Sequence, residues 1–228
     1  MIPSKVRVTS LILKATVFLS VTAGIVISLI PSEDALVKGG SVFMFFTIQS
    51  NIAIGIIALI GAVLLLKNPK AGGILFVVQF VGTVSITLTG AVFTVMLAPQ
   101  LGEHAWKIAN ILTHVVVPTT AIADFLVIGA YGDIKKKQVF YVIIPPALYV
   151  VYAGIAYAAG WEFIEGYNYP YFFLNWGSPA GAFGFADELP YMGCVWWILV
   201  LMAFIIAVGF VYLLITGFIK KRFVERRQ

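Results

Sequence analysis

The sequence predicts an all-α polytopic membrane protein in which residues 1–228 form a single domain, a bundle of six transmembrane helices. Of its residues, 61% are hydrophobic and only 11% are charged, and the mean hydropathy is +1.01. Soluble domains are about 45–50% apolar and about 25% charged. The basic residues behind the net charge of +5 follow a membrane topology, so we expect no nucleic acid partner. The single cysteine, Cys194, excludes an intrachain disulfide or a cysteine metal cluster.

Six apolar runs are long enough to cross a bilayer, because a hydrocarbon core about 30 Å thick requires roughly 20 residues of helix. In chain order, the first run ends at Pro31-Ser32, the second at Asn68-Pro69, the third at Pro99-Gln100 and the fourth at Tyr131-Gly132. The fifth ends at a long Gly- and Pro-containing segment, and the sixth follows that segment. The predicted spans are residues 10–30, 41–66, 72–97, 107–129, 139–159 and 194–218. The first run is too long for the core of a signal peptide, so we expect it to remain uncleaved.

The distribution of charge predicts the orientation of the bundle. All of the 15 basic residues except Lys38 and Lys107 fall on the side of the six spans that holds both termini. Because cytoplasmic segments of membrane proteins are enriched in Lys and Arg, we expect both termini in the cytoplasm. The basic side comprises Lys5, Arg7, Lys14, Lys67, Lys70, Lys135, Lys136, Lys137, Lys220, Lys221, Arg222, Arg226 and Arg227, and the outer side holds the acidic residues Glu33, Asp34, Glu103, Glu162, Glu165, Asp187 and Glu188.

The second span begins with a group of polar side chains. Thr47, Ser50 and Asn51 have the i, i+3, i+4 spacing that places them on one face of a helix, and Gln49 points away from that face. The fourth span holds Asn110 and His114, which are also four residues apart. Polar groups inside a bilayer must find a partner or line a cavity, so these residues are candidates for a functional site.

The sequence also predicts an effect of Pro118 on the fourth span and a position for the side chain of Asp124. Pro118 is expected to kink the helix and to free the carbonyl of His114. Asp124 lies ten residues beyond His114, roughly 15 Å along the helix axis, so we expect no direct contact between their side chains. Asp124 is instead expected to reach the membrane surface or to pair with the run Lys135–Lys137.

The depths of Thr47 and His114 match. Thr47 lies roughly 9 Å and His114 roughly 10 Å into spans that both begin on the outer side. If the two helices are neighbours, the Thr47 hydroxyl meets an imidazole that can remove its proton, which predicts a nucleophile and base dyad. Asn51 is then a candidate donor to an oxyanion, Asn110 orients the imidazole, and Ser50 and Asp124 are supporting residues. The alternative is that these polar side chains only bond neighbouring helices. No cofactor or metal is required.

Residues 160–193, between the fifth and sixth spans, are rich in aromatic residues, Gly and Pro and contain no Lys or Arg. This composition predicts an interfacial cap over the outer end of the bundle, on the same side as Thr47 and His114. Tyr169, Tyr171 and Trp176 are its candidate substrate-binding residues. The alternative is an aromatic belt that only anchors the protein in the membrane.

In combination these motifs resemble the androgen-induced-gene family of six-span membrane proteins, most closely its prokaryotic branch. The resemblance rests on the run 45–51 around Thr47, on Asn110-x-x-x-His114 followed by Asp124, and on the segment 169–171, Tyr-Pro-Tyr. Animal members of that family are threonine hydrolases that cleave fatty acid esters of hydroxy fatty acids within the membrane.

The resemblance implies that Thr47 is the nucleophile and His114 the base of a hydrolase that acts on a lipid or fatty-acyl ester without a cofactor. It also implies the cell (cytoplasmic) membrane of a prokaryote, with the active site on the outward side. Two alternatives remain. Asn51, Asn110, His114 and Asp124 would line the path of a transporter or channel for protons or small solutes, or the cap would be the binding surface of a scaffold without enzymatic activity.

Overall fold

The computed structural model describes residues 2–30, 37, 39–68 and 73–225. Within these residues, six helices are long and apolar enough to cross a membrane. This confirms the predicted all-α bundle and identifies an integral multi-pass membrane protein. The six are α1 (Ser4–Leu29), α2 (Phe46–Lys67), α3 (Gly73–Trp106), α4 (Ile108–Gly129), α5 (Lys136–Ala158) and α6 (Cys194–Val224).

Four predicted boundaries of these helices are wrong by five residues or more. α1 begins at Ser4 and not at residue 10, α6 ends at Val224 and not at residue 218, and one end each of α2 and α3 also differs. The second span was expected from residue 41, but Gly39–Met44 is a separate 3-10 turn and the α-helix begins at Phe46. The third span was expected to end at residue 97, before the breaker Pro99, yet α3 continues to Trp106. A π-helical turn over Phe93–Leu97 precedes the proline, which then lies in the first turn of the next helical stretch. Proline is tolerated there because the first helical N–H groups have no intrahelical acceptor.

Some sequence expectations fall on residues outside the described ranges. They are the turns at Pro31-Ser32 and Pro69 and the charges of Glu33, Asp34, Lys38, Lys70, Arg226 and Arg227.

The core of the bundle surrounds α3, the most enclosed of the six helices, whereas α6 is the most exposed. α3 packs against α2, α4 and the beginning of α5, and α1 packs against α2 and α4. Phe80, Val84, Phe125, Val142 and Ile205 are buried in the largest apolar cluster, which joins α3, α4, α5 and α6. This cluster fixes the half of the bundle that is remote from the cap.

The two halves of α5 differ in geometry and in packing. Lys136–Ile143 is a 3-10 helix that packs against α3 and α6. Ile144–Ala158 is an α-helix with prolines in its first turn, and its backbone makes few close approaches to any other helix. The second half of α5 therefore stands apart from its neighbours and leaves a space at the cap end of the bundle.

Residues 160–193 cover one end of the bundle, as the sequence predicts. The rings of Phe163 and Phe173 are buried against Tyr149 and Ala153 of α5, and Phe163 contacts Phe45 edge to face. Two indole N–H groups of α6 also donate hydrogen bonds to the cap. The Nε1 of Trp196 donates to the carbonyl of Phe183, and that of Trp197 donates to the carbonyl of Pro190. The cap thus reaches the beginning of α2, where Thr47 lies.

Candidate active site

Thr47 is the second residue of α2, directly under the cap. The residue before the helix, Phe45, has an extended backbone, and no side chain caps the helix start. The N–H groups of a first helical turn have no acceptor within the helix. The N–H of Thr47 instead donates to the hydroxyl oxygen of Tyr171, at 3.4 Å. Thr47 therefore presents a hydroxyl and, beside it, the positive end of the helix dipole.

The structure brings Thr47 and His114 together, which confirms the predicted contact. The Thr47 Oγ1 lies 3.3 Å from the Nε2 of His114. The predicted depth of Thr47 within its helix is wrong, however, because Thr47 is in the first turn of the α-helix and not six residues into it. The 3-10 turn Gly39–Met44 supplies the remaining length.

The backbone defines the protonation pattern of the His114 ring. Its Nδ1 lies 3.1 Å from the carbonyl oxygen of Asn110 and 3.1 Å from the Oγ1 of Thr113. A carbonyl only accepts hydrogen bonds, and the Thr113 hydroxyl already donates to the carbonyl of Ala109. Nδ1 therefore carries the hydrogen in the neutral ring, and Nε2 presents its lone pair to the Thr47 hydroxyl.

A π-helical turn places His114 at this position in α4. The turn covers Leu112–Val116, and the N–H of Val117 donates to the carbonyl of Leu112. The next residue, Pro118, has no N–H to offer to the carbonyl of Thr113, five residues earlier, or of His114, four residues earlier. The prediction that Pro118 frees a carbonyl is thereby extended to two residues. The Nδ2 of Asn51 donates to the carbonyl of Thr113, which bonds α2 to α4 beside the dyad.

Phe93 packs against one face of the His114 imidazole. Its ring stacks on that of His114, with centroids 3.8 Å apart and planes inclined by 21°. Phe93 is buried at the first position of the π-helical turn of α3. Sequence reasoning missed this residue, because an aromatic side chain near the end of an apolar span is ordinary in a membrane protein.

Two predicted supporting roles are corrected by the contacts. Asn51 was a candidate oxyanion donor, but its amide group donates to the carbonyls of Thr47 and Thr113, so both hydrogens are engaged. Asn110 was expected to orient the imidazole with its side chain, and it does so with its main-chain carbonyl, while its side chain donates to the carbonyl of His104. Ser50 contacts the Thr47 carbonyl and the Thr89 hydroxyl and therefore supports the first turn of α2.

Asp124 belongs to a separate polar cluster. Its carboxylate accepts hydrogen bonds from Ser10, from Lys14 at 2.5 Å and from Gln79 at 2.8 Å. All four side chains are buried. The expectation that Asp124 reaches the membrane surface or pairs with Lys135–Lys137 is therefore wrong. Among the described contacts, none links Asp124 to Thr47 or His114, as the separation of Asp124 from His114 along the helix predicts.

An apolar cavity adjoins Thr47. It comprises about 600 Å³ of space between atoms, part of it open to the surroundings. Polar groups at its border belong to Thr47, Thr89, Tyr149 and Tyr171, and neither His114 nor Phe93 borders it. The remaining border consists of apolar side chains of α2, α3, α5, α6 and the cap, among them Leu88, Val92, Val150, Phe173, Leu201 and Met202.

Of the three predicted substrate-binding residues of the cap, Tyr171 alone borders the cavity. Burial raises the pKa of its hydroxyl above the ordinary value of 10.0, so this group keeps its hydrogen at neutral pH. The ring of Tyr169 contacts Tyr167 instead. Trp176 also lies away from the cavity, and its Nε1 is buried with no hydrogen-bond partner in the described structure. The structure therefore places Tyr171 at the cavity and shows no contact of Tyr169 or Trp176 with it.

Comparison with protein family models, with curated proteins and with solved structures finds no match for this chain. The site is therefore interpreted from its own geometry. Among the described residues there is no group of three or more His, Cys, Asp or Glu side chains that could hold a metal ion.

Proposed function

We propose that this protein is an intramembrane hydrolase of lipid esters, with Thr47 as the nucleophile and His114 as the general base. One observation carries the proposal: the Nε2 lone pair of His114 faces the hydroxyl of Thr47 while the Asn110 carbonyl holds the hydrogen on Nδ1. A hydroxyl is a weak nucleophile until an adjacent base removes its proton. Hydrogen bonding and ring stacking hold the imidazole in the orientation that this step requires.

In the first half of the reaction, the Thr47 Oγ1 attacks the carbonyl carbon of an ester while His114 Nε2 takes the hydroxyl proton. The carbonyl oxygen becomes an oxyanion. The Tyr171 hydroxyl and the Thr47 N–H lie beside the nucleophile and are the candidate donors to it. Collapse of the intermediate breaks the bond to the alcohol oxygen, which takes the proton from Nε2 and leaves as an alcohol.

In the second half, water attacks the acyl-Thr47 ester. Nε2 of His114 takes a proton from this water, and the carbonyl oxygen again becomes an oxyanion at the same donors. When the bond to Thr47 breaks, Oγ1 recovers the proton from Nε2, and the carboxylic acid is released. The products are one acid and one alcohol, and the enzyme is regenerated without an additional reactant.

The character of the cavity supports a lipid substrate. Its border is almost entirely apolar and lies within the cap-end half of a membrane bundle. An aliphatic chain gains free energy in such a space, about 0.8 kcal/mol for each buried CH₂ group. The resemblance to the androgen-induced-gene family points to fatty acid esters of hydroxy fatty acids or similar esters. On the same basis, we place the protein in the cytoplasmic membrane of a prokaryote, with the cap outward.

The transport alternative has less support from the contacts. It requires Asn51, Asn110, His114 and Asp124 to line one path. Asp124 is instead enclosed by Ser10, Lys14 and Gln79, in a cluster separate from the dyad. Asn51 and the carbonyl of Asn110 are engaged in fixing the backbone and ring around the Thr47–His114 contact.

The proposal is tested by Thr47→Val and His114→Gln, which preserve side-chain volume and remove the nucleophile or the base. We expect each to lower ester turnover in detergent by at least about a hundredfold, since general-base catalysis alone contributes about that much. A fluorophosphonate probe should label Thr47 in the wild type and fail to label it in His114→Gln.

Thr94→Val in α3 is the matched control. It makes the same substitution at a hydroxyl whose hydrogen bond, within the described residues, is to the carbonyl of Gly90, so activity should be retained. Size-exclusion elution and thermal unfolding establish that each variant is folded. Full turnover by folded Thr47→Val would exclude the dyad.

A further inference from the structure

We infer that the apolar cavity holds the acyl chain of the ester, and that the alcohol part extends past His114 and out of the cavity. This inference rests on the proposed hydrolase function. It assigns each half of the substrate to a side of the dyad and defines the accepted acyl group as an unsubstituted long hydrocarbon chain that enters between α5 and α6.

The position of Thr47 between two different environments is the first step. Its side chain borders the cavity, and its Oγ1 lies 3.3 Å from the Nε2 of His114. His114 and the ring stacked on it, Phe93, do not border the cavity. The hydroxyl therefore stands at a boundary, with hydrocarbon surface on one side and the proton-accepting nitrogen on the other.

The chemistry of the intermediate determines which of the two environments holds the acyl chain and which holds the alcohol part. Four groups surround the former carbonyl carbon: Oγ1 of Thr47, the oxyanion, the alcohol oxygen and the acyl chain. The alcohol oxygen must approach Nε2 of His114, because that nitrogen supplies its proton. The oxyanion lies at the Tyr171 hydroxyl and the Thr47 N–H. The direction that remains for the acyl chain is the cavity.

The polar groups at the border of the cavity have partners, so they do not favour a substituted chain. The Tyr149 hydroxyl donates to the carbonyl of Met44. The Thr89 hydroxyl bonds the carbonyl of Ser85 and the hydroxyl of Ser50. No charged side chain is among the described residues at the border. A hydroxyl or carboxylate on the acyl chain would lose its hydration there without compensation.

The length of the cavity and its closed inner end fit a long hydrocarbon chain. Along α3 its border runs from Leu97 to Leu88, nine residues or roughly 13 Å. At the far end Leu88 is a buried member of the largest apolar cluster, and Leu201 and Met202 pack against that cluster. The space is therefore closed towards the middle of the bundle, and its depth limits the length of chain that it accepts.

The access route follows from the packing of α5 and α6. The half of α5 that borders the cavity, Ile144–Ala158, makes few close backbone approaches to α6. The neighbouring outward-facing residues are apolar on both helices: Leu148 and Val151 on α5, and Leu199 and Val200 on α6 are all exposed. Such surfaces face hydrocarbon in a bilayer, so a chain can move from the membrane into the cavity without crossing water.

Two isomeric esters test the assignment, because they differ only in which side of the ester carries the long chain. Ethyl hexadecanoate has a long acyl and a short alcohol part, and hexadecyl acetate is the reverse. We expect the wild type to hydrolyse ethyl hexadecanoate at least about tenfold faster, which corresponds to about 1.4 kcal/mol of difference in transition-state binding.

Leu201→Trp fills the cavity and should reduce the ratio of the two rates severalfold, by slowing ethyl hexadecanoate selectively. Leu214→Trp makes the same change on the same helix at an exposed position away from the cavity and the access route, and its ratio should equal that of the wild type. Selective slowing of hexadecyl acetate in Leu201→Trp would overturn the assignment and place the alcohol in the cavity. An unchanged ratio in a folded Leu201→Trp protein that still hydrolyses either ester would overturn the inference and leave the dyad intact. Absence of turnover of both esters by the wild type would overturn this inference and the hydrolase proposal together.

Discussion

At the scale of single residues, the reactivity that we propose for Thr47 depends on main-chain groups as much as on side chains. The Asn110 carbonyl defines which nitrogen of His114 is free, and the first turn of α2 places the N–H of Thr47 beside the Thr47 hydroxyl. Negative charge is stabilised near a helix N-terminus, by about 0.3–1 kcal/mol at exposed sites and more when it is partly buried. An oxyanion formed at Thr47 benefits from this field without any movement of the protein.

Tyr171→Phe is the variant that isolates the proposed oxyanion donor. Loss of one such donor elsewhere lowers kcat by about 10²–10³-fold, and we expect a loss of this order here with little change in KM. Because burial raises the pKa of Tyr171, its hydroxyl stays protonated from neutral to moderately alkaline pH, so the loss should be constant over that range. Initial rates on a long-chain ester at several pH values measure this.

Tyr169→Phe provides the comparison, since Tyr169 lies in the same cap and away from the cavity. It should behave as the wild type. If Tyr171→Phe kept the full kcat while remaining folded, the donor would have to be another group, and the N–H of Thr47 would be the next candidate.

Sequence patterns predicted the contact between Thr47 and His114. They did not predict the groups that surround this contact, for a physical reason. An imidazole is rare and costly inside a span, and Thr47 was selected because its predicted depth matches that of His114. The Asn110 carbonyl has no distinct side-chain pattern, because every residue has a carbonyl. Phe93 is one of 18 phenylalanines. Their roles depend on the local helix geometry, which residue types do not specify.

At the scale of helices, two π-helical turns meet at the site, Phe93–Leu97 in α3 and Leu112–Val116 in α4. Each precedes a proline, and Phe93 and His114, whose rings stack, both lie within these turns. Gly90 permits the close approach: a Cβ added there would lie 3.0 Å from the His114 carbonyl oxygen and 3.2 Å from the Pro118 ring. Irregular helix geometry is thus part of how the imidazole is positioned.

Gly90→Ala should therefore separate α3 from α4 at the site. We expect a loss of roughly 1–3 kcal/mol in stability from overpacking and about a tenfold lower kcat, because His114 is displaced from Thr47. Gly154→Ala in α5 is the matched control: an added Cβ there meets no atom within 4 Å, and alanine favours helix. Thermal unfolding in detergent and initial rates measure both variants. Equal behaviour of the two would show that close packing at Gly90 does not position His114.

The buried cluster of Ser10, Lys14, Gln79 and Asp124 joins α1, α3 and α4. Removal of one partner from a buried ion pair leaves an uncompensated charge and costs about 3–5 kcal/mol, whereas replacement of both by apolar residues is often neutral. We therefore expect Asp124→Leu to be strongly destabilised and the double variant Lys14→Met, Asp124→Leu to recover most of the loss. Unfolding in a denaturing detergent measures the series.

Lys136→Met is the control for loss of a lysine charge, because Lys136 is exposed. It should match the wild type in the same unfolding assay. If the double variant were as unstable as Asp124→Leu, the carboxylate would stabilise the fold through Ser10 and Gln79 more than through the ion pair.

The ends of the helices show how accurately the sequence predicts helix boundaries. The start of α4 is predicted to within one residue, because Lys107 precedes a clear apolar run. Pro99 was assigned as a helix breaker, yet α3 passes through it. Proline ends a helix only if the local register requires its N–H, and the π-helical turn before it changes that register. Packing with α4 at Phe93 and Gly90 accompanies that change, and no local pattern encodes it.

At the scale of the whole molecule, the unequal charge of the two ends predicts how the bundle sits in the membrane. Single-cysteine variants in a Cys194→Ala background test this, with Glu165→Cys in the cap and Lys136→Cys at the opposite end, both at exposed positions. A thiol reagent that does not cross membranes should label Glu165→Cys in intact cells and label Lys136→Cys only after permeabilisation. The reverse pattern would invert the topology. The unaltered chain is the blank, because Cys194 is buried.

The separation of the second half of α5 from α6 has a kinetic consequence. A substrate that reaches Thr47 sideways from the bilayer is presented at its mole fraction among the surrounding amphiphiles, not at its bulk molarity. Inert detergent or phospholipid then dilutes the substrate within the micelle or bilayer surface. Apparent saturation constants measured in micelles of different size and number therefore agree only when they are expressed per unit of interface.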